Sequence, residues 1–458
     1  MSQSKSLSFT GSVILFLSMI GIIFISLFYL KTEPHLPLML CLVFLSGAAI
    51  LYKYSWKEIE DGIVKGIQSG VQPIIILALI GILIGAWMFS GTIPTVMMAA
   101  LSIIDPAYLL ILTLLCCTII SSLVGSSFTT VSTVGVALMG VAIAAGVPVE
   151  WAAGAVICGA CFGDKMSPMS DTTNFASGVA EVNIFTHIRH MAKTTIPAYA
   201  ITAALFWYMG TTLSADGATL DNIKEIMTVM KEHVTISPWT LISPLIVIGL
   251  AISRVPVIPA LAAGIATAGI TGLLIQDGTN LSGFLAVLQN GTAFDIQQET
   301  VQQMLNRGGL QSMMWSISLI MIAFALGGLM DKMQLIQTLL NGLIERIKVK
   351  GQLILATISS SIGVNLVTGE QYLSILIPGQ SFKPAYEKLN VEKKYLSRSL
   401  EDAGTLINPL IPWGVSGAFF AQTLGVDVIA YLPFAFFLYL SPLFSVLFGF
   451  LPVRKHTL

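Results

Sequence analysis

The feature that most limits the fold of this chain is its supply of uncharged apolar runs. Residues 11–30 carry no charged side chain, and stretches near 238–253, 257–276 and 429–452 are alike in this. A helix of about 20 apolar residues crosses the hydrocarbon core of a bilayer. Within lipid every backbone polar group must be satisfied internally, so such runs are read as helices. Charged residues make up 10% of the chain and hydrophobic ones 55%, where a soluble domain has about 25% charged. The expected class is an all-α polytopic membrane protein, with the lipid bilayer as its first partner.

Several other classes fall away. Lys5 before an apolar run imitates a secretory leader, but no small-residue cleavage site follows and many further spans do. The run is therefore read as the first membrane helix. The net charge is −1 and basic residues gather only in loop-sized clusters, so no nucleic acid partner is expected. Signatures of nucleotide, dinucleotide or zinc-protease sites are missing from the sequence, so neither an enzyme nor a bound cofactor is expected. The five cysteines lie in apolar stretches, and Cys158-Gly-Ala-Cys161 reads as small-residue helix packing.

Two polar stretches resemble each other. Gly163-Asp164-Lys165-Met166-Ser167-Pro168 and Gly404-Thr405-Leu406-Ile407-Asn408-Pro409 share Gly-x4-Pro. Leu123-Val124 and Leu366-Val367 precede them, Gly70 and Gly309 open apolar segments before those, and the pairs recur at an offset of about 240 residues. Asn408 and Pro409 then match Ser167 and Pro168. The sequence divides into a first repeat at 1–212, an extracellular linker at 213–235 and a second repeat at 236–458. The linker is read as a short amphipathic helix. Each half is read as about five spans plus a pair that forms full spans or a re-entrant hairpin. The pairs are 107–146, with residues 126–130 at the tip, and 352–380, with residues 365–370 at the tip.

Loop charges orient the halves, because lysine and arginine favour the cytoplasmic side. Lys53, Lys57 and Lys65 precede Gly70, whereas the matching segment 277–309 has Arg307 alone. Segment 91–106 has no basic residue, and its counterpart has Lys332, Arg346, Lys348 and Lys350. Segment 146–151 has none, against Lys383, Lys388, Lys393, Lys394 and Arg398. Finally, Arg189 and Lys193 stand opposite the stretch 425–431, which has no basic residue. The bias alternates, so the halves are expected to be inverted, with both termini cytoplasmic, as Arg454-Lys455 agrees.

Ionisable residues within apolar sequence mark function. Asp171 follows Ser167-Pro168-Met169-Ser170, where a proline frees helix carbonyls. Carbonyls, hydroxyls and a carboxylate are the oxygen ligands of a hard cation. Asp171, Ser170 and Asn174 are the expected metal ligands, and Ser167, Thr172 and Thr129 are further candidates. A carboxylate at such a break, partly desolvated, holds either a proton or a cation, which is the simplest exchange mechanism; the alternative is that Asp171 only caps a half-helix. Asp164 is a second candidate, and Lys165 is read as its ion-pair partner or as a neutraliser of Asp164 or Asp171. In the second half the candidates are Asn365, Thr368, Glu370 and Asn408. Glu370 is read either as a ligand or as an exposed tip. Glu401 and Asp402 are read either as site groups or as partners of the basic cluster ending at Arg398. His187 and His190 are read as residues of a solvated loop.

At the stretches 162–173 and 401–414 the chain resembles the NhaC family of bacterial Na+/H+ antiporters, part of the ion transporter superfamily. The run Gly-Asp-x-x-Ser-Pro-x-Ser-Asp-Thr-Thr carries the resemblance, which extends over nearly the full length. It implies secondary active exchange of Na+ for H+ across a bacterial plasma membrane, with Na+ as transported ion rather than cofactor. It also implies kinship with transporters that move by an elevator motion. The family includes exchangers of organic acids such as malate and lactate, so an Na+/H+-coupled organic-acid exchanger is the alternative. A homodimer is compatible with the sequence.

Overall fold

The structure, a computed structural model, describes residues 7–103, 105–213, 217–344 and 347–451. Lys5, Arg346, Arg454 and Lys455 lie outside the described residues. The described residues are helical throughout, with no strand. Among the described residues seven helices are long and apolar enough to cross a membrane, or up to nine if two bent pairs each count as one span. This is fewer than the sequence suggests. The break at Ser167-Pro168 also leaves a piece, Asp171–Val179, that is too short to qualify.

Eight helices build the centre, labelled α1–α8 in chain order. They are α1 (Pro106–Val124), α2 (Ser127–Ala144, with a π turn), α3 (Val149–Met166), α4 (Asp171–Val179), α5 (Lys350–Thr368), α6 (Gln371–Lys388), α7 (Lys393–Gly404) and α8 (Val415–Leu424). Helices α1 and α2 form one hairpin, and α5 and α6 form another. Each tip is a glycine in the left-handed region, Gly125 at φ 73° and Gly369 at φ 65°, followed by a capping residue. Only glycine enters that conformation without strain. The Ser126 hydroxyl accepts from Thr129 N–H, and the Glu370 carboxylate accepts from Leu373 N–H at 2.6 Å. Both caps meet helix N–H groups left over at the start of a helix.

Each hairpin is anchored to the broken helix that follows it. The Ser121 hydroxyl donates to the Ala160 carbonyl at 2.6 Å, and the Asn365 amide donates to Ala403 at 3.0 Å and Gly404 at 2.7 Å. Helices α1 and α3 approach closely: a side chain added at Gly159 would come within 2.4 Å of the Leu114 carbonyl. Cys158 and Cys161 are buried thiols in this packed face, in keeping with the small-residue reading. Between the halves, the helix Gly217–His233 buries Ile226 and Met230, four residues apart on one face.

The histidine reading is corrected. His187 and His190 lie at the start of the helix Ile184–Thr211 and are buried. His187 Nδ1 bonds the Ser397 hydroxyl at 2.9 Å, and His190 meets the Tyr395 ring edge-on. They are packing residues between this helix and α7, not solvated ones.

Candidate functional site

Proline and serine at 167–168 end α3, and the chain restarts as α4 with Ser170 as its N-cap, its hydroxyl accepting from Thr173 N–H. The Asn174 amide crosses back and donates to the carbonyls of Pro168 at 2.9 Å and Ser170 at 2.6 Å. The Ser167 hydroxyl donates to Ser122 on α1 at 3.0 Å. The break is thus held open by its own polar side chains. In the second half a short 3-10 turn, Asn408–Leu410, replaces the helix between α7 and α8. Asn408 donates to Asn365 and to the Gly369 carbonyl, each at 2.9 Å, and accepts from Ser416 N–H at 2.7 Å.

The two tips and the first break enclose a cavity of about 860 Å³. Of the residues singled out in the sequence, Thr129, Asp164, Asp171, Thr172, Asn174 and Glu370 line it. Ser167, Ser170, Asn365, Thr368 and Asn408 are buried behind that lining. Thr368 donates to Val364 within its own helix. Asn408 and Ser167 each stand at the break of their half and bond the adjacent hairpin, Asn408 at Asn365 and Gly369 and Ser167 at Ser122.

The carboxylates have different surroundings. Asp164 is 5% exposed, and its Oδ2 accepts from the N–H and hydroxyl of Ser127 at 3.1 and 2.7 Å. Its Oδ1 is buried with no hydrogen-bond partner among the described residues. An anionic oxygen left unpaired at such depth is costly unless a ligand meets it. Asp171, expected to be partly desolvated, is instead exposed to the cavity. Its Oδ1 accepts from Thr172 N–H at 3.1 Å, and its Oδ2 accepts from the Tyr372 hydroxyl at 2.5 Å. Glu370, read above as a ligand or an exposed tip, is 5% exposed and caps α6.

Lys165 does not pair with Asp164 or Asp171. Its Nζ donates to Asp402 at 2.5 Å, with both side chains fully buried, and the Ser441 hydroxyl donates to the same oxygen at 2.6 Å. Glu401 and Asp402 do not pair with Arg398, whose guanidinium donates to Ser445. Glu401 Oε1 accepts from the Thr172 hydroxyl at 3.3 Å. Sequence reasoning missed Tyr372, and it placed Ser127 at the first tip without naming it as a site residue. Both are polar residues at hairpin tips, and that position is the signal that could have marked them.

Among the described residues no cluster of three or more His, Cys, Asp or Glu could hold a metal ion. The lining instead offers carboxylate, hydroxyl and amide oxygens, the donor set of a hard cation.

Residues 159–453 match the Na+/H+ antiporter family. The chain is 61% identical over 450 residues to the Na+/H+ antiporter NhaC of Bacillus subtilis, covering 98% of this chain and 99% of that protein. It is 51% identical to the Na+/H+ antiporter NhaC of Alkalihalophilus pseudofirmus, covering 99% and 97%. The malate-2H+/Na+-lactate antiporter of Bacillus subtilis is 31% identical, with 87% of this chain and 85% of that protein covered. By a family match over more than half its length and by full-length identity of this degree, the chain belongs to the Na+/H+ antiporter family.

Proposed function

We propose that the chain exchanges Na+ for H+ across the bacterial plasma membrane, at the cavity where Asp164 and Asp171 meet the hairpin tips. The observation that carries this site is the buried, unpartnered Oδ1 of Asp164 in the wall of a cavity that Asp171 also lines. Na+ would take oxygens from Asp171, Asp164 and Thr172, with Thr129 and Asn174 at the periphery. Ser170, Ser167, Asn365, Thr368 and Asn408 would fix the two breaks and the tips. A carboxylate that binds Na+ cannot keep its proton, so one site visited in turn gives exchange. The Tyr372 hydroxyl on Asp171 would hold the ion-free geometry.

The matched features of the halves support inverted repeats at 1–212 and 236–458, joined by an extracellular linker. Both have a left-handed glycine at the tip, a capping residue after it, and an anchor to the next broken helix. Inverted repeats around a midplane site suit alternating access. In this reading the hairpins are re-entrant and move with the broken helices as an elevator, both termini are cytoplasmic, and the chain forms a homodimer.

The test is purified protein in liposomes with an internal pH dye. An Na+ pulse alone should move protons. A response that appears only when malate or lactate is added would overturn the proposal in favour of organic-acid exchange. That second reading draws on the size of the cavity and on Arg254 in its lining.

A further inference from the structure

A second cavity, of about 460 Å³, has the opposite chemistry to the first. It is lined by Gln302, Arg307, Gln422, Thr423 and Gly425 among others, and by no carboxylate. Arg307 has no carboxylate within 4.0 Å among the described residues; its Nε donates to the Gln303 carbonyl at 3.3 Å. Burial lowers its pKa and no acid offsets that. The hydroxyl of Thr423, 4% exposed, is buried in the same wall with no partner. Among the described residues the side-chain amides of Gln302 and Gln422 have no protein hydrogen bond. Gly425, at φ 72°, leaves open the space over the guanidinium: a Cβ there would lie 3.5 Å from one Nη and 3.8 Å from the other.

A part-buried guanidinium without an acid, facing free donors, lacks an anion. We infer that this pocket is a binding site for a small carboxylate, held by the Nη groups of Arg307 with the Thr423 hydroxyl and the Gln422 amide. A planar guanidinium fork matches a carboxylate with two parallel hydrogen bonds. The pocket joins the end of α8 to the segment 302–313, whereas Val415 at the other end of α8 lines the first cavity. A bound carboxylate therefore ties the far end of a site helix to a segment outside the site. This goes beyond Na+/H+ exchange and does not depend on it.

The test is calorimetric titration of the full chain in zwitterionic nanodiscs with acetate and with succinate, at fixed Na+ and ionic strength. Saturable one-site binding is expected. Arg307→Gln should weaken it about tenfold or more, as loss of a charge-assisted pair does. Gly425→Asn keeps the charge and tolerates the left-handed backbone, yet its side chain covers the guanidinium, so it should weaken binding as well. It decides the matter if Arg307→Gln does not fold. Basal Na+/H+ exchange without carboxylate should stay near that of the parent. No saturable binding, or unchanged affinity in both variants, overturns the inference. Acetate and succinate that fail to bind, while phosphatidylglycerol in the nanodisc protects Arg307 from guanidine-directed modification, would overturn it in favour of a lipid headgroup.

Discussion

Lys165 and Asp402 offer a clean test of how the two halves are held together. They come from α3 and α7, meet at 2.5 Å, and are both fully buried. Removing one partner of a buried pair strands the other, at a cost of about 3–5 kcal/mol. Removing both and keeping the volume is far milder, within about 1 kcal/mol of the parent. Lys165→Met leaves Asp402 with the Ser441 hydroxyl alone, beside Glu401, whose Oε2 is already unpartnered. Asp402→Asn leaves an amide that the Lys165 ammonium can still donate to. The lysine variant should therefore be the worse of the two. The double variant Lys165→Met/Asp402→Asn should recover most of the loss, with a coupling energy on the order of 3 kcal/mol. The assay is reversible unfolding in mixed SDS–detergent micelles for all four proteins. Additive losses would refute the reasoning. The double variant also separates two roles. If it folds and exchanges Na+ for H+, Lys165 is a structural tie; if it folds and is inactive, the ammonium is needed as a counter-charge in the cycle.

Further outcomes are expected. Asp171→Asn should abolish Na+-driven proton movement in liposomes while the protein still folds and inserts, and Asp164→Asn should impair it; normal exchange in either removes that carboxylate from the mechanism. Apparent Na+ affinity should weaken as pH falls, up to about tenfold per unit, the limit for one-for-one competition; a flat response between about pH 6 and 9 would indicate separate proton and sodium paths. Glu181, bonded by Lys383 and Lys393, has its pKa lowered to about 2 by those lysines. Its pairing is present above its ordinary pKa and fades only as pH falls toward 2, so Glu181→Gln should leave the pH profile of exchange near neutrality unchanged. In a background without native cysteines, Asn290→Cys should label from outside and Glu60→Cys and Asn390→Cys from inside; all three positions are exposed, and agreement between 60 and 290 would sink the inverted arrangement.

The sequence made some of this legible because the signal was local. A proline within an apolar run removes a helix hydrogen bond, so Ser167-Pro168 and Asn408-Pro409 are local signals of their breaks, although Pro378 and Pro384 are accommodated inside α6. Glycine followed by a polar residue between two apolar runs announces a tip in the same way, as at Gly125-Ser126 and Gly369-Glu370. Pairing had no such signal. Lys165 finds Asp402 at a separation of 237 residues, Tyr372 finds Asp171 at 201, and His187 finds Ser397 at 210. Adjacent residues such as Asp164 and Lys165 suggest an ion pair on paper, but successive side chains on a helix point in different directions. Asp164 turns to the first hairpin tip and Lys165 to α7.

That divergence gives the site its charge balance. The buried cation is spent on Asp402, outside the cavity, so the lining carboxylates Asp164, Asp171 and Glu370 are left without a lysine of their own. Had Lys165 paired with Asp164, as adjacency suggests, an internal ammonium would occupy the position an external cation needs. A site for exchange must be neutralised by what it carries; Arg254 also lines the cavity, but no ion pair ties it to Asp164, Asp171 or Glu370 among the described residues, so these acids can be neutralised by a proton or by Na+. The Tyr372 hydroxyl on Asp171 satisfies one oxygen without neutralising it. Selection between proton and Na+ then depends on how many further oxygens reach the ion, and these come from the first break and from both tips. Movement of a tip by a bond length or two changes the Na+ shell more than it changes a single proton on a carboxylate, because one oxygen suffices for the proton and several are required for the metal ion. In the proposed site the hairpins would therefore hold the balance between the two substrates, and the carboxylates would set the total charge that is exchanged.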